Sequence, residues 1–289
     1  MDAPSDSPPR PRPDRPVYFI LHVPKCAGST VEAHLMRHMA PGRFVRPGKR
    51  RSVLRHVTTR YLPGDVVDPD GIEALSGHHI GRSLEARFAG REVRRTVLLR
   101  EPLGFFLSYY NFRMMRYLKA GWRTYDFATA NRSLPRNPVA DFLLGAYLEM
   151  PWARRAAMPD REKYERLNDF LATCWFVGGH VRCDDLIAAL APELGVPATA
   201  ERANTGEDWQ RKVDWTPLRA DDLDAQTKRR IDDDNPVDRL LWESWRDARH
   251  ATAAVRPAAF PGGGMLAPLA HELSRPVFEV RRRLQRGWW

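Results

Sequence analysis

An α/β domain, with a parallel sheet covered by helices on both faces, is the fold class that the sequence predicts. Three observations predict it. Short apolar runs rich in β-branched and aromatic residues, at 17–23, 93–99 and 174–178, read as buried strands. Each is followed by small residues, a proline or a polar turn, and then by apolar residues at three- and four-residue spacing, the mark of a helix. The residues best suited to chemistry stand directly after the first two of these strands, where parallel sheets place their ligands. A chain of 289 residues is long enough for one such domain.

The elements follow in order. Residues 1–15, rich in Pro, Asp and Ser, lack an apolar signal-like stretch and read as a disordered lead. Val17-Tyr-Phe-Ile-Leu-His-Val23 forms the first strand and Pro24 ends it. Gly28 loosens the turn, and a helix begins near Ser29 with Val31, Leu35 and Met39 on one side. After the strand at 93–99, Pro102 opens a helix carrying Leu103, Phe106, Tyr110, Met114 and Tyr117 at helical spacing. Further helices are expected near 138–150, 161–173, 184–194, 222–231 and 237–250, the third of them following the strand at 174–178. Residues 251–289 read as a Pro/Gly-rich linker and a basic amphipathic helix over 276–289, suited to an anionic membrane surface or to docking on the protein itself.

Pro24-Lys-Cys-Ala-Gly-Ser-Thr30 is the most informative segment. Small residues let backbone N–H groups turn inward around an anion, a helix N-terminus points there, and Lys25 adds a mobile charge. The Lys precedes the Gly, so the segment lacks the GxxxxGK[ST] order of an ATP-binding loop. An ordinary strand-to-helix turn is the alternative. Arg100, at a strand end, and Ser108, in the helix beyond it, could grip a second phosphate, or Arg100 could pair with Glu101. In Ser76-Gly-His-His-Ile-Gly81 a histidine could serve as general base, or the pair could belong to a polar loop. His34 and His38, four apart on a helix, lack a third ligand and HExxH, and read as a polar face; no metal site is expected.

The segment Phe19-Ile-Leu-His-Val-Pro-Lys-Cys-Ala-Gly-Ser-Thr30 resembles the 5'-phosphosulfate loop of the carbohydrate sulfotransferase family, the group that includes heparan sulfate 2-O-sulfotransferase. Gly77-His-His-Ile80 with Phe88 is similar to that family's Gly-His segment. Val97-Leu-Leu-Arg-Glu-Pro-Leu103 with Ser108-Tyr-Tyr-Asn-Phe112 is similar to its 3'-phosphate motif, and Phe176-Val-Gly-Gly-His-Val181 to a core strand. The resemblance implies a P-loop-NTPase-like parallel sheet flanked by helices, in a single sulfotransferase domain over 16–250. It implies a sulfuryl donor, 3'-phosphoadenosine 5'-phosphosulfate (PAPS), no metal, and a carbohydrate or glycoconjugate hydroxyl as acceptor. Lys25 would contact the phosphosulfate and assist its departure. Cys26, Ala27, Gly28, Ser29 and Thr30 would cradle it, and Arg100 and Ser108 would hold the 3'-phosphate. His78 would activate the acceptor hydroxyl, with His79 as the second choice. The chain departs from the family pattern in three places: Cys26 stands where Thr is frequent, Glu101 where Asp is common, and His180 where an acidic residue is usual.

Composition agrees with an anionic ligand without naming it: 46 basic residues against 36 acidic ones give a formal charge of +10. Arg far outnumbers Lys, which suits oxyanion recognition and also a G+C-rich genome. Cys26, Cys174 and Cys183 are widely spaced and form no disulfide framework, so a reducing, cytoplasmic setting is expected, with a peripheral membrane contact open to the tail. Acceptor choice is expected to lie in 43–70, basic at Arg46, Lys49, Arg50, Arg51 and Arg55, and in 113–170, with Trp122, Tyr125, Trp152 and Tyr164. Two rival functions are a nucleotide-dependent kinase, which wants a Walker-type Lys and a Mg²⁺ carboxylate, and a non-catalytic basic ligand-binding protein. No nucleic-acid-binding motif is present, and nucleic acid is not an expected partner.

Overall fold

The computed structural model describes residues 15–46, 69–132, 134–201 and 213–247. The expected lead over 1–14, the basic stretch at 47–68, and the linker and tail over 251–289 lie outside the described residues. Five strands, β1 (Val17–Leu21), β2 (Phe44–Val45), β3 (Ala74–Gly77), β4 (Val93–Leu99) and β5 (Phe176–Gly179), form one sheet. All pairings are parallel and the order is β2-β3-β1-β4-β5. Central β1 is buried along its whole length, as a strand covered on both faces must be, and this explains its unbroken apolar run. Register sets Phe19 beside Leu75 on one side and Arg95 on the other.

Helices α1 (Gly28–His38), α2 (Pro102–Lys119), α3 (Phe127–Asn131), α4 (Pro138–Phe142), α5 (Trp152–Ala157), α6 (Asp160–Ala172), α7 (Cys183–Leu194), α8 (Ala225–Asp234) and α9 (Pro236–Trp245) flank the sheet. They pack in groups: α1 on α7, α2 on α3 and α8, and α9 on α4, α6 and the strands β4 and β5. The expected class is therefore present, an all-parallel five-stranded sheet flanked by helices.

Several expected boundaries are corrected. The third strand spans Phe176–Gly179 and does not start at 174, because Cys174 still belongs to the turn after α6, its N–H on the Leu171 carbonyl at 3.0 Å; the first bond to β4 comes from the Trp175 N–H, to the Arg95 carbonyl at 2.8 Å. The helix expected over 138–150 is two pieces, α4 and a π-helical turn at Leu143–Tyr147. That turn aims the Tyr147 hydroxyl at Glu85 and at Arg95. The helices near 222–231 and 237–250 begin and end elsewhere, at 225–234 and 236–245, because Asn235-Pro236 breaks between them. Strands β2 and β3 were not expected, since two and four residues make too short a pattern to stand out.

One arrangement fixes how α9 meets α4. Each begins with Asn-Pro, and each Asn serves the other helix. Asn137 Oδ1 accepts from the N–H of Val237 at 2.9 Å, and Asn235 Oδ1 accepts from the N–H of Asn137 at 2.7 Å. Asp238 then accepts from the N–H groups of Val139 and Ala140, at 2.9 and 2.8 Å. All three side chains are buried, so water cannot replace what is lost. Asp238→Ala leaves two buried donors unpaired and is expected to cost about 2–4 kcal/mol in a urea unfolding experiment. A loss below roughly 1 kcal/mol would contradict this account of the cap.

Candidate active site at the carboxyl ends of β1 and β4

After β1 the chain leaves toward β2 and β3; after β4 it leaves toward β5 on the other side. The crevice between the ends of β1 and β4 is thus a topological switch point, where open α/β sheets leave room for a ligand. Lys25 and Arg100 meet there: the Arg100 Nη1 donates to the Lys25 carbonyl at 3.0 Å.

The loop between β1 and α1 is built to expose backbone. Lys25 and Ala27 both take a left-handed φ of 65°, uncommon for residues with a side chain. Such strain, of order 1–3 kcal/mol each, is characteristic of functional loops. Ala27 is the N-cap of α1, and no side-chain hydrogen bond caps that helix. The Cys26 thiol turns inward, to the Pro24 carbonyl at 3.5 Å, and burial pushes its pKa far up. It packs rather than ligates, so the loop loses little by lacking a hydroxyl at this position.

A cavity of about 440 Å³ opens beside the loop. Lys25, Arg100, Glu101, Ser108, Asn111 and Phe112 line it, with Pro217, Leu218 and Ala220 on a facing wall. Ser108, Asn111 and Phe112 share one face of α2, at spacings of three and four. Asn111 holds the facing wall in place: its Nδ2 donates to the Leu218 carbonyl and its Oδ1 accepts from the Leu218 N–H, each at 2.9 Å. The Lys25 ammonium lies 4.1 Å from the centre of the Phe112 ring. Burial, and then the Arg100 charge, lowers the Lys25 pKa from 10.5 to about 8. Arg100 Nε is buried and has no hydrogen-bond partner among the described residues. An unpaired guanidinium N–H at the wall of a cavity is a donor waiting for an acceptor.

Two of the noted departures form one feature. His180, at the end of β5, places Nδ1 3.5 Å from Glu101 Oε2.

A second cluster stands at the end of β3. His78 Nδ1 is 2.6 Å from the carbonyl of His22, and the two imidazole rings lie 4.1 Å apart. A carbonyl only accepts, so Nδ1 carries the proton of neutral His78 and Nε2 keeps its lone pair. Burial, and then the nearby His22, pulls the His78 pKa down to about 4. His78 is therefore neutral at physiological pH, with one nitrogen able to take a proton. Behind it, Glu32 joins His22 at 2.7 Å and Ser76 at 2.8 Å.

The structure brings Lys25, Arg100 and Ser108 together on one cavity. None of the expected cradle residues Cys26, Ala27, Gly28, Ser29 and Thr30 lines it; Gly28, Ser29 and Thr30 form the first turn of α1, where Thr30 is buried and its N–H bonds the Ala27 carbonyl at 3.0 Å. The Cys26 N–H is likewise used within the loop, on the Val23 carbonyl at 3.3 Å. His78 does not line this cavity; His22 stands between the two clusters' strands, on β1's end. His79 is half-buried, its ring 6.3 Å from that of His78. His34 bonds the Pro197 carbonyl at 2.9 Å, a helix-to-loop contact. Of the aromatics assigned to the acceptor, Tyr164 is core, whereas Trp122 and Trp152 are exposed.

Sequence reasoning gave no role to Asn111, Phe112, His22, Glu32 or the wall at 217–220. Asn111 and Phe112 were legible, three and four residues beyond Ser108 on the same helix. The wall was not, because its bond to Asn111 spans 107 residues of chain.

No family model, curated protein or solved structure shows significant similarity to this chain. Its chemistry must be read from the site itself.

A larger hollow, of about 580 Å³, is lined by Arg82, Arg95, Tyr147, Glu162, Arg166 and Asp169 among others. It is a poorer candidate. Two of its cations are already paired, Arg166 with Glu162 in the lining and Arg95 with Glu85 outside it, and Arg95 stands near the start of β4, away from the strand carboxyl ends.

Proposed function

We propose that the chain is a PAPS-dependent O-sulfotransferase acting on a hydroxyl of a carbohydrate or glycoconjugate, on a P-loop-like fold. The observation that carries this reading is the meeting of Lys25 and Arg100 across the switch point, with a buried Arg100 donor unpartnered beside the loop of α1. Two cationic groups on one cavity, one of them in the loop before α1, suit a ligand with two separate phosphates. Neutral His78 at the adjacent strand end suits a reaction that removes one proton.

PAPS would enter as the donor substrate. The loop and Lys25 would hold its phosphosulfate, Arg100 and Ser108 its 3'-phosphate. In the transfer, the acceptor oxygen bonds to sulfur as the bond from sulfur to the 5'-phosphate oxygen breaks. The acceptor proton passes to His78 Nε2, and adenosine 3',5'-bisphosphate leaves with the electron pair. Lys25 and the loop amides stabilise the charge that grows on the leaving oxygen, the role that electrostatics plays in loose phosphoryl transfer. Three buried, free cysteines suit a reducing compartment, and no helix among the described residues is long and apolar enough to cross a membrane. The free cysteines are the basis on which a cytoplasmic setting is proposed.

Glu101, a carboxylate on the cavity wall, makes Mg²⁺-ATP the competing ligand to test. Incubation with PAPS and a panel of sugars and glycoconjugates, read by mass spectrometry, is expected to add one SO₃ group to a hydroxyl. Phosphate added from Mg²⁺-ATP instead would replace this reading with the kinase one.

The two perturbed groups set a pH profile. Lys25 binds an anion as ammonium, so affinity is full below about pH 8 and falls above it, by up to about tenfold per unit. His78 acts as a base only when neutral, so activity falls as pH drops through about 4. The expected kcat/KM profile is a bell with limbs near those values. An acid limb near 6.5, the ordinary imidazole value, would show that His78 is not the group titrating.

A further inference from the structure

The pair His22 and Glu32 lies outside the roles assigned above, and its geometry is specific. His22 leaves β1 at the start of the anion loop and is buried. Its Nδ1 is 2.7 Å from Glu32 Oε1. The Ser76 hydroxyl donates to the same oxygen at 2.8 Å, and Arg46 lies 3.0 Å from the other. Burial alone would raise the Glu32 pKa, but the bonds from His22 and Ser76 and the Arg46 charge outweigh it and the net shift is down. An ionised carboxylate only accepts, so His22 Nδ1 carries a proton and donates it.

His22 touches both halves of the site. Its carbonyl receives the His78 Nδ1–H, and its ring lies against the His78 ring at 4.1 Å. On the other side it fills the space over Gly28, where an added Cβ would sit 2.2 Å from the ring. Glycine is thus required at 28 for the imidazole to fit between the anion loop and His78. The groups that face His78 are His22 from β1, Glu32 from α1, its neighbour His79, and the uncharged Phe142 ring from α4.

We propose that His22, anchored by Glu32, is a positioning residue for His78: it wedges against Gly28, holds the His78 imidazole with Nδ1 protonated, and leaves Nε2 open to the acceptor. This rests on the assignment of His78 as the base. Each imidazole donates through Nδ1, His78 to the His22 carbonyl and His22 to Glu32, so the orientation passes from α1 to the reacting nitrogen. It is a chain of positioning, as when an outer partner fixes the tautomer of a working histidine.

The test is histidine-labelled NMR of the whole chain, which reads the tautomer and titration of His78 without substrate. In the unsubstituted protein His78 is expected as the Nδ1–H tautomer, titrating near 4. In His22→Asn the ring packed against His78 is gone, and His78 is expected to bind protons about tenfold more tightly or better and to mix tautomers. The acid limb of kcat/KM should move up with it, and kcat fall about tenfold, while affinity for adenosine 3',5'-bisphosphate stays within about threefold. Ser76→Ala keeps both rings and loosens only the Glu32 carboxylate. It serves if His22→Asn does not fold, and is expected to admit a minor Nε2–H population. A folded variant of either kind with unchanged His78 tautomer and titration overturns the proposal, since a merely structural role would lower stability and nothing else. Undiminished transfer in His78→Ala would instead overturn the base assignment, and is read separately.

Discussion

Arg100→Ala is expected to weaken binding of adenosine 3',5'-bisphosphate by about a hundredfold or more, with the fold retained. The half-buried Arg100 lines the cavity and presents its guanidinium fork to a phosphate there, and charge-assisted bonds contribute about 1.5–3 kcal/mol each. Two such bonds lost correspond to a factor on that scale. The same change removes the donor to the Lys25 carbonyl, so the strained loop should loosen as well. Lysine at 100 should restore little, because a point charge cannot reproduce both the bond to the loop and the bond to the ligand. The contrast with 5'-AMP is the check on specificity. If Arg100 holds a 3'-phosphate, 5'-AMP binding is weak in the unsubstituted protein and changes by only a few-fold on substitution. An equal loss for both nucleotides would place Arg100 on the 5' side of the ligand.

His78→Ala is expected to lower kcat by about a hundred- to ten-thousandfold, the usual contribution of a positioned base. Bisphosphate affinity should hardly change, since His78 does not line the donor cavity. His79→Ala should cost little, roughly threefold or less, because its ring stands off from the His22 carbonyl that orients His78. Reversal of these two outcomes would exchange their roles.

The sheet was legible where strands were long and followed by helices: β1, β4 and the helices after them could be placed almost to the residue. Those same segments carry Lys25, Arg100 and Ser108, so the cavity's core was legible with them. Short strands were not. Ser76-Gly-His-His read as a loop, although Ala74–Gly77 pairs with β1, because four residues cannot display a period against their surroundings. The position of His78 beside His22 follows from that parallel pairing, with Leu21 opposite Gly77, and is invisible without it. Glu32 looked like an ordinary polar position on a helix. It faces inward because Ser76, His22 and Arg46 meet there, from parts of the chain that only the sheet brings together. The mutual caps of Asn137, Asn235 and Asp238 span about a hundred residues, beyond the reach of any local pattern.

Calorimetric titration of the whole chain at pH 7 tests the central claim most directly, with adenosine 3',5'-bisphosphate, ATP with and without Mg²⁺, and 5'-AMP as ligands. The account predicts that the bisphosphate binds tightest, needs no Mg²⁺, and loses affinity in both Lys25→Ala and Arg100→Ala. Tighter binding of Mg²⁺-ATP, or no binding of the bisphosphate to folded protein, would contradict it.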